Sequence, residues 1–462
     1  MAIASKKEPI GYFRRLTLLK KLFWLYFLLL IFEGALRKWV APPLSAPLLV
    51  IRDPVAVWII WEAYRTRKWP MRWSAVLSLL TVLMIVLFVV QIIFGENLFL
   101  VGLYGLSSYL LPFPLLFIMG ENLDEDDIRH LGVFTLWLLV PMTLLEVAQY
   151  LSPPGSFLNR GAYEGGGQIS YVGSHVRASG TFSFNVGSAS FAALAAPFIL
   201  YGMVKERFAP TWLLWVAAFS LVLSVPMVGA RTLVFLLAAT LAGMGVGAMM
   251  GIAQFGRAFR IIVPVLVVSF LVSLLPVFQD ASDKLFQRFA GAATGTEGNP
   301  LESVVYRVIT PVVEKVEGID LTSNLIGIGL GRSAIAVQAF LTGETAAVAG
   351  EDDISREIAE MGPFGWLAYA VFKLFLATAL SGMALARARE HEPLGLLLVP
   401  LCITSLLVGQ LEQTTVQGFM VVGLALLIAA TRTPPYVLEP ANVPPALRRQ
   451  QFVRTRPHRR PS

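Results

Sequence analysis

Cysteine is nearly absent from this chain of 462 residues. Its one cysteine, Cys402, has no partner for an internal disulfide and cannot build a cysteine-cluster metal site. The four histidines are scattered, which argues against a histidine metal centre. Charge is scarce too. Only 15% of residues are Asp, Glu, Lys or Arg, and a soluble protein of this length needs far more polar surface.

Apolar sequence fills the space that these absences leave. Hydrophobic residues make up 56% of the chain and recur in runs of about 20, the length that crosses a bilayer as a helix. The run from Leu22 continues without a small-residue cleavage site, so it reads as a first transmembrane helix and no cleavable signal peptide is expected. The expected fold is an all-α polytopic membrane protein of about twelve spans by the ~20-residue rule. They fall near 22–40, 44–64, 73–93, 98–119, 131–151, 181–203, 211–229, 231–252, 260–278, 363–382, 394–411 and 414–430. Residues 1–431 form a single integral membrane domain, with a long loop at 279–361 between spans nine and ten. Residues 432–462 form a basic, proline-rich tail that is expected to be disordered.

Basic residues set the expected orientation. Lys6, Lys7, Arg14, Arg15, Lys20 and Lys21 precede the first span, and Arg65, Arg67, Lys68 and Arg72 fill the second connection. Lys205, Arg207, Arg257, Arg260, Arg387, Arg389 and the arginines from Arg432 onward continue the same parity. The opposite short loops hold only Arg37, Lys38, Arg160, Arg177 and Arg231. Both termini are therefore expected in the cytoplasm. The net charge of +7 reflects this sidedness and calls for no nucleic-acid partner. Membrane lipid is the natural partner of the tail.

With this orientation Arg177, Arg231 and the 279–361 segment share the extracytoplasmic side. That segment is the one large hydrophilic insertion and the natural place for function. Within "LESVVYRVITPVVEKVEG", 301–318, valines and Ile309 recur at helical spacing, interrupted by Pro311. "NLIGIGLGRSA", 324–334, carries Gly327, Gly329 and Gly331 but lacks the Gly-Lys-Ser/Thr of a P-loop. The glycines read as permitting a tight turn or close backbone packing. Arg332 follows them, either structural or facing an anion. "GEDDISREIAEMGPFGWL", 350–367, places Glu351, Asp352 and Asp353 at a helix start, where carboxylates cap and complement the dipole or do chemistry. Without histidine support the cluster is not read as a metal site. Arg52 and Asp53 lie inside the second span, about 12 Å from its outer end at 1.5 Å per residue. Neighbours in sequence do not face each other on a helix, so Arg52 needs an interhelical partner or lines a substrate path. Glu146 and Glu412 are candidate partners for the outer arginines.

Four features in order carry a resemblance: the arginine before "SGTFSFN", the arginine in "VGARTLVFLLA", the run "IGIGLG", and "REIAEMGPFGWL" entering the tenth span. Together with the long loop they resemble the bacterial O-antigen ligase and polysaccharide polymerase superfamily, over about residues 170–385. The resemblance implies a multi-span glycosyltransferase fold without metal or nucleotide cofactor. The implied reaction moves glycan from a polyprenyl-diphosphate carrier to an acceptor hydroxyl, outside the cytoplasmic membrane. Partners would be carrier-linked oligosaccharides and other polysaccharide assembly proteins. Arg177 and Arg231 take the places of arginines facing the diphosphate. Glu351 stands where the ligase branch carries a histidine, a departure that points to the polymerase branch.

The chemistry agrees. A lipid diphosphate is already a leaving group, so no nucleotide is required. Guanidinium forks bind phosphate oxygens well and stabilise charge as it develops. Glu351, with Asp352 second, would serve as the base, and Arg332, Arg356 and Arg52 as further phosphate or glycan contacts. A ligase acting on another acceptor, or a transporter of lipid-linked glycans, would share much of this pattern. No inverted repeat is evident for the transporter.

Overall fold

The structure is a computed structural model that describes residues 9–95, 97–162, 171–172, 175–250, 279, 281–283, 325–333, 353–390, 392–409, 411 and 413–432. The ninth span, the 301–318 helix, Glu351, Asp352, Glu412 and the tail beyond Arg432 lie outside the described residues.

The chain is an all-α polytopic membrane protein. Its helices are α1 (Pro9–Arg15), α2 (Leu18–Ala35), α3 (Ser45–Leu48), α4 (Arg52–Arg65), α5 (Ser74–Phe94), α6 (Phe99–Leu110) and α7 (Pro112–Asn122). They continue with α8 (Glu125–Leu151), α9 (Asn185–Val204), α10 (Thr211–Val228), α11 (Arg231–Met249), α12 (Asp353–Arg389), α13 (Leu394–Val408) and α14 (Thr414–Arg432). Eight helices among the described residues are long and apolar enough to cross a membrane. The one described sheet is a hairpin of β1 (Tyr171–Val172) and β2 (His175–Val176).

The bundle is built around α9 and α14. The apolar window of α9 is 89% buried, whereas that of the Met71–Phe94 segment containing α5 is 22% buried. Small residues explain the first. "GSASFAALAA" lets α8, α10, α11, α13 and α14 all approach one helix. α5 instead points Leu77, Leu80, Met84 and Gln91 inward and exposes Leu79, Val82, Val86 and Ile93. That exposed face suits lipid rather than water.

Several boundaries differ from those expected. The second span does not run unbroken over 44–64. Pro42, Pro43 and Pro47 confine the chain to short turns and α3, and α4 begins only at Arg52. Arg37 and Lys38 are not in an exposed loop. A π-helical turn, Leu36–Val40, extends α2 and buries both. α8 starts ahead of the expected 131 because Asp124 and Asp127 form a reciprocal capping box, with bonds of 3.0 and 2.9 Å. At this end of the bundle Lys20 bridges to Asp124 and Asp127, and the Tyr12 hydroxyl donates to Asp127 at 2.6 Å. The span expected at 363–382 belongs to a longer element. α12 bends at Gly362, whose φ of 70° is left-handed, followed by Pro363.

Candidate functional site

Arg177, far from Arg231 in sequence, is held at the turn that leads into Arg231. α10 ends in left-handed Gly229, φ 58°, and two residues later α11 begins at Arg231. The segment after β2 runs along this turn. The Ala178 amide donates to the Met227 carbonyl at 3.1 Å, and Arg177 Nε donates to the Val228 carbonyl at 3.4 Å. His175 is stacked on Tyr150 with ring centroids 4.7 Å apart, which ties β2 to the end of α8. Both arginines are half-buried.

The residues after Arg177 are gripped from two sides. From α8, the Gln149 carboxamide oxygen accepts the Ser179 and Gly180 amides at 3.1 and 2.8 Å, and its nitrogen donates to the Gly180 carbonyl at 3.0 Å. From the end of α2, Lys38 Nζ donates to Ser179 Oγ at 2.9 Å and to the Gly180 carbonyl at 2.8 Å. The Thr181 hydroxyl donates to the Ile31 carbonyl at 2.7 Å, and Arg37 Nη1 to Ser183 Oγ at 3.1 Å. Gly34 lets the two backbones touch, since a Cβ there would strike Thr181, Phe182 and Ser183. Gly180 itself is left-handed, φ 55°. This is a rigidly held turn with Arg177 at its lip.

Arg52 has an ion-pair partner. Its Nε meets Glu33 at 3.1 Å, and Glu33 also holds Arg37 at 3.4 Å. Arg52 Nη2 donates to the Thr414 carbonyl at the start of α14, and the guanidinium lies 5.6 Å from the Tyr26 ring. Its Nη1 is buried without a hydrogen-bond partner, beside Gly418, where any Cβ would collide with it. Glu146 does not serve an arginine as its hydrogen-bond partner. It accepts from Ser224 on α10.

The glycine run is a backbone lock. The Glu360 carboxylate accepts the Gly331 amide at 2.9 Å, the Ser333 amide at 2.7 Å and the Tyr109 hydroxyl at 2.9 Å. Gln91 accepts the Leu330 amide at 2.8 Å and donates to the Ile326 and Glu360 carbonyls, both at 2.7 Å. Gly327, Gly329 and Gly331 all have left-handed φ, and a Cβ on Gly331 would lie 2.5 Å from the Val101 carbonyl oxygen. Arg332, half-buried, donates to the Ile328 carbonyl at 3.3 Å within the same loop.

The carboxylates beyond this loop are deep. Glu357 and Lys373 pair at 2.6 Å although 16 residues separate them. Along a straight helix that separation would be about 24 Å, so the bend at Gly362 folds the 353–361 arm back against the rest of α12. Asp353 is buried beside the pair. Its Oδ2 has no hydrogen-bond partner, and neither has the buried Tyr369 hydroxyl. Arg356 sits half-buried on this arm, next to Glu357. Among the described residues no group of three or more His, Cys, Asp or Glu could hold a metal.

Sequence reasoning singled out Arg177, Arg231, Arg332, Arg356 and Arg52, and passed over Glu33, Gln149, Glu357 and Lys373. For Glu33, Gln149 and Lys373 the signal was present, an ionisable or amide residue within an apolar run; Glu357 was hidden among the other charges of 351–360. Compared with known proteins, the chain matches no family model and no curated protein.

Proposed function

We propose that the chain is a membrane glycosyltransferase that polymerises polyprenyl-diphosphate-linked oligosaccharide units into a surface polysaccharide. The work would be done on the extracytoplasmic face of a bacterial cytoplasmic membrane, in a twelve-span topology with both termini inside. One observation carries this reading: the Ala178–Met227 backbone bond, with the Arg177 guanidinium on Val228, brings Arg177 to the turn from which Arg231 starts α11. A pair of forked cations at a helix junction suits a diphosphate. In the reaction the acceptor hydroxyl oxygen attacks the anomeric carbon of the donor, and the bond from that carbon to the diphosphate oxygen breaks. The diphosphate leaves with the electron pair, and Arg177 and Arg231 stabilise its developing charge. A carboxylate ahead of α12, Glu351 with Asp352 as second choice, takes the hydroxyl proton.

Replacement of Arg231 by lysine in the source bacterium tests the reading. Accumulated single repeat units on the carrier are expected. Long carrier-linked chains would instead indicate a ligase that moves finished glycan to another acceptor. Retention of lipid-linked units on the cytoplasmic side would indicate a transporter, in which Arg52 and Asp53 would outweigh the outer arginines.

A further inference from the structure

We infer that Lys38 is a positioning residue for the donor's diphosphate, acting through the turn that carries Arg177; this rests on the glycosyltransferase reading above. Lys38 is fully buried, 0% exposed. Its ammonium does not reach the bundle surface, so it is not a residue extending its charge into a lipid headgroup layer. Its hydrogen bonds to Ser179 and Gly180 both go to the turn, and among the described residues no carboxylate pairs with it. The Trp39 ring at 4.7 Å offsets part of its charge.

A fully buried lysine is a costly way to close a turn. Gln149 already holds the backbone of the same two residues with a neutral amide. What Lys38 adds is the bond to the Ser179 hydroxyl and a second donor on the Gly180 carbonyl, from the opposite side of the turn. The neighbouring group reinforces it: Arg37 and Arg52 share one carboxylate, Glu33, and Arg37 also holds Ser183 of the turn. The carboxylates Glu33 and Asp53 both lie beside Arg52, so what reaches the turn from this group is its hydrogen bonds. Lys38 therefore has one task on this reading: it fixes the Ser179–Gly180 segment that aims Arg177.

The test uses the purified full-length protein in nanodiscs, with undecaprenyl diphosphate as probe and undecaprenyl monophosphate as control. Affinity is read for wild type, Lys38→Met, Arg177→Gln and the double variant, each at matched monodisperse quality. Lys38→Met is expected to weaken diphosphate binding about tenfold, and to weaken it further by less than about threefold when Arg177 is already glutamine. An unchanged affinity, or a full tenfold loss in both backgrounds, overturns the positioning role. If Lys38→Met fails to fold, Ser179→Ala replaces it. That variant removes one acceptor, keeps the lysine, and should lower affinity about threefold only while Arg177 is present. Its having no effect counts against the inference. A wild type that binds neither lipid brings down the glycosyltransferase reading itself, whereas a binding wild type with indifferent Lys38 and Ser179 variants removes only the role of Lys38.

Discussion

Two buried ionic groups in this bundle are built on opposite plans. The first, Glu33 with Arg37 and Arg52 and the adjoining Lys38, is bonded into the turn that carries Arg177. The second, Asp353 and Glu357 with Lys373, has more carboxylates than cations and ties a bent helix back on itself. The α13–α14 connection touches both. Asp353 accepts the Leu411 amide, and Arg52 holds the Thr414 carbonyl. In the first group Arg37 and Lys38 reach across to the segment that bears Arg177; in the second the pair closes within one element. On the proposed function the difference separates side chains that serve a ligand-binding turn from charges that hold a shape.

The largest effect expected falls on the shape-holding group. Lys373→Met leaves Glu357 and Asp353 buried together without a cation and should lower stability by about 3–5 kcal/mol. Thermal unfolding of the purified protein measures this. The double variant Glu357→Gln/Lys373→Met should recover most of the loss; if it recovers none, the pair is not the unit that fastens the arm. Next come the arginines. Arg177→Lys and Arg231→Lys should each reduce turnover of a lipid-diphosphate oligosaccharide about 10²-fold or more, from the ~2.7–4 kcal/mol typical of one lost oxyanion donor, at nearly unchanged protein abundance. Near wild-type turnover in both would erase the contrast between the two groups.

Gly331→Ala tests a third kind of buried polar assembly, the backbone lock on Glu360. Its added methyl meets the Val101 carbonyl in a left-handed conformation, and a loss of about 1–3 kcal/mol in unfolding measurements is expected. The smallest effect lies at the far end of the bundle. Asp124→Ala removes a cap and should reduce stability by about 0.5–2 kcal/mol. Burial works to raise the Asp124 carboxyl, but the bonds from Lys20 and the Asp127 amide outweigh it and hold the group below the usual carboxylate range. Its stabilising contribution is therefore complete above that range and disappears as the pH falls through the depressed folded value. An acid titration of the unfolding midpoint that is identical in wild type and Asp124→Ala would contradict that assignment.

Long apolar runs made the membrane class and most helices readable from the amino acids, because span length and hydropathy follow from bilayer thickness. The break before Arg52 was less readable. "APPLSAP" is apolar enough to extend a span, and only the spacing of its prolines reveals that it does not. Within the site, Arg177 and Arg231 stood out as charges at helix mouths. The docking of the Arg177 segment on the turn before Arg231 did not, because it rests on a backbone bond between Ala178 and Met227 that side-chain identity does not encode. Lys38 read as a loop cation because the π-helical turn that buries it has no distinctive composition. Glu357 and Lys373 lie too far apart in sequence for helical spacing to suggest a pair; the bend at Gly362 brings them together.

The near-complete enclosure of α9 has a consequence for how the protein tolerates change over time. A helix against lipid meets a fluid neighbour that reshapes itself around almost any apolar side chain, and the outward positions of α5, such as Leu79, Val82 and Ile93, should drift freely among such residues. Ala192, Ala193 and Leu194 are buried inside the bundle, whose interior is close-packed and cannot flow. Substitutions on α9 therefore need matching substitutions on its partners, so variation in this protein should accumulate from the rim inward and reach the central helix last.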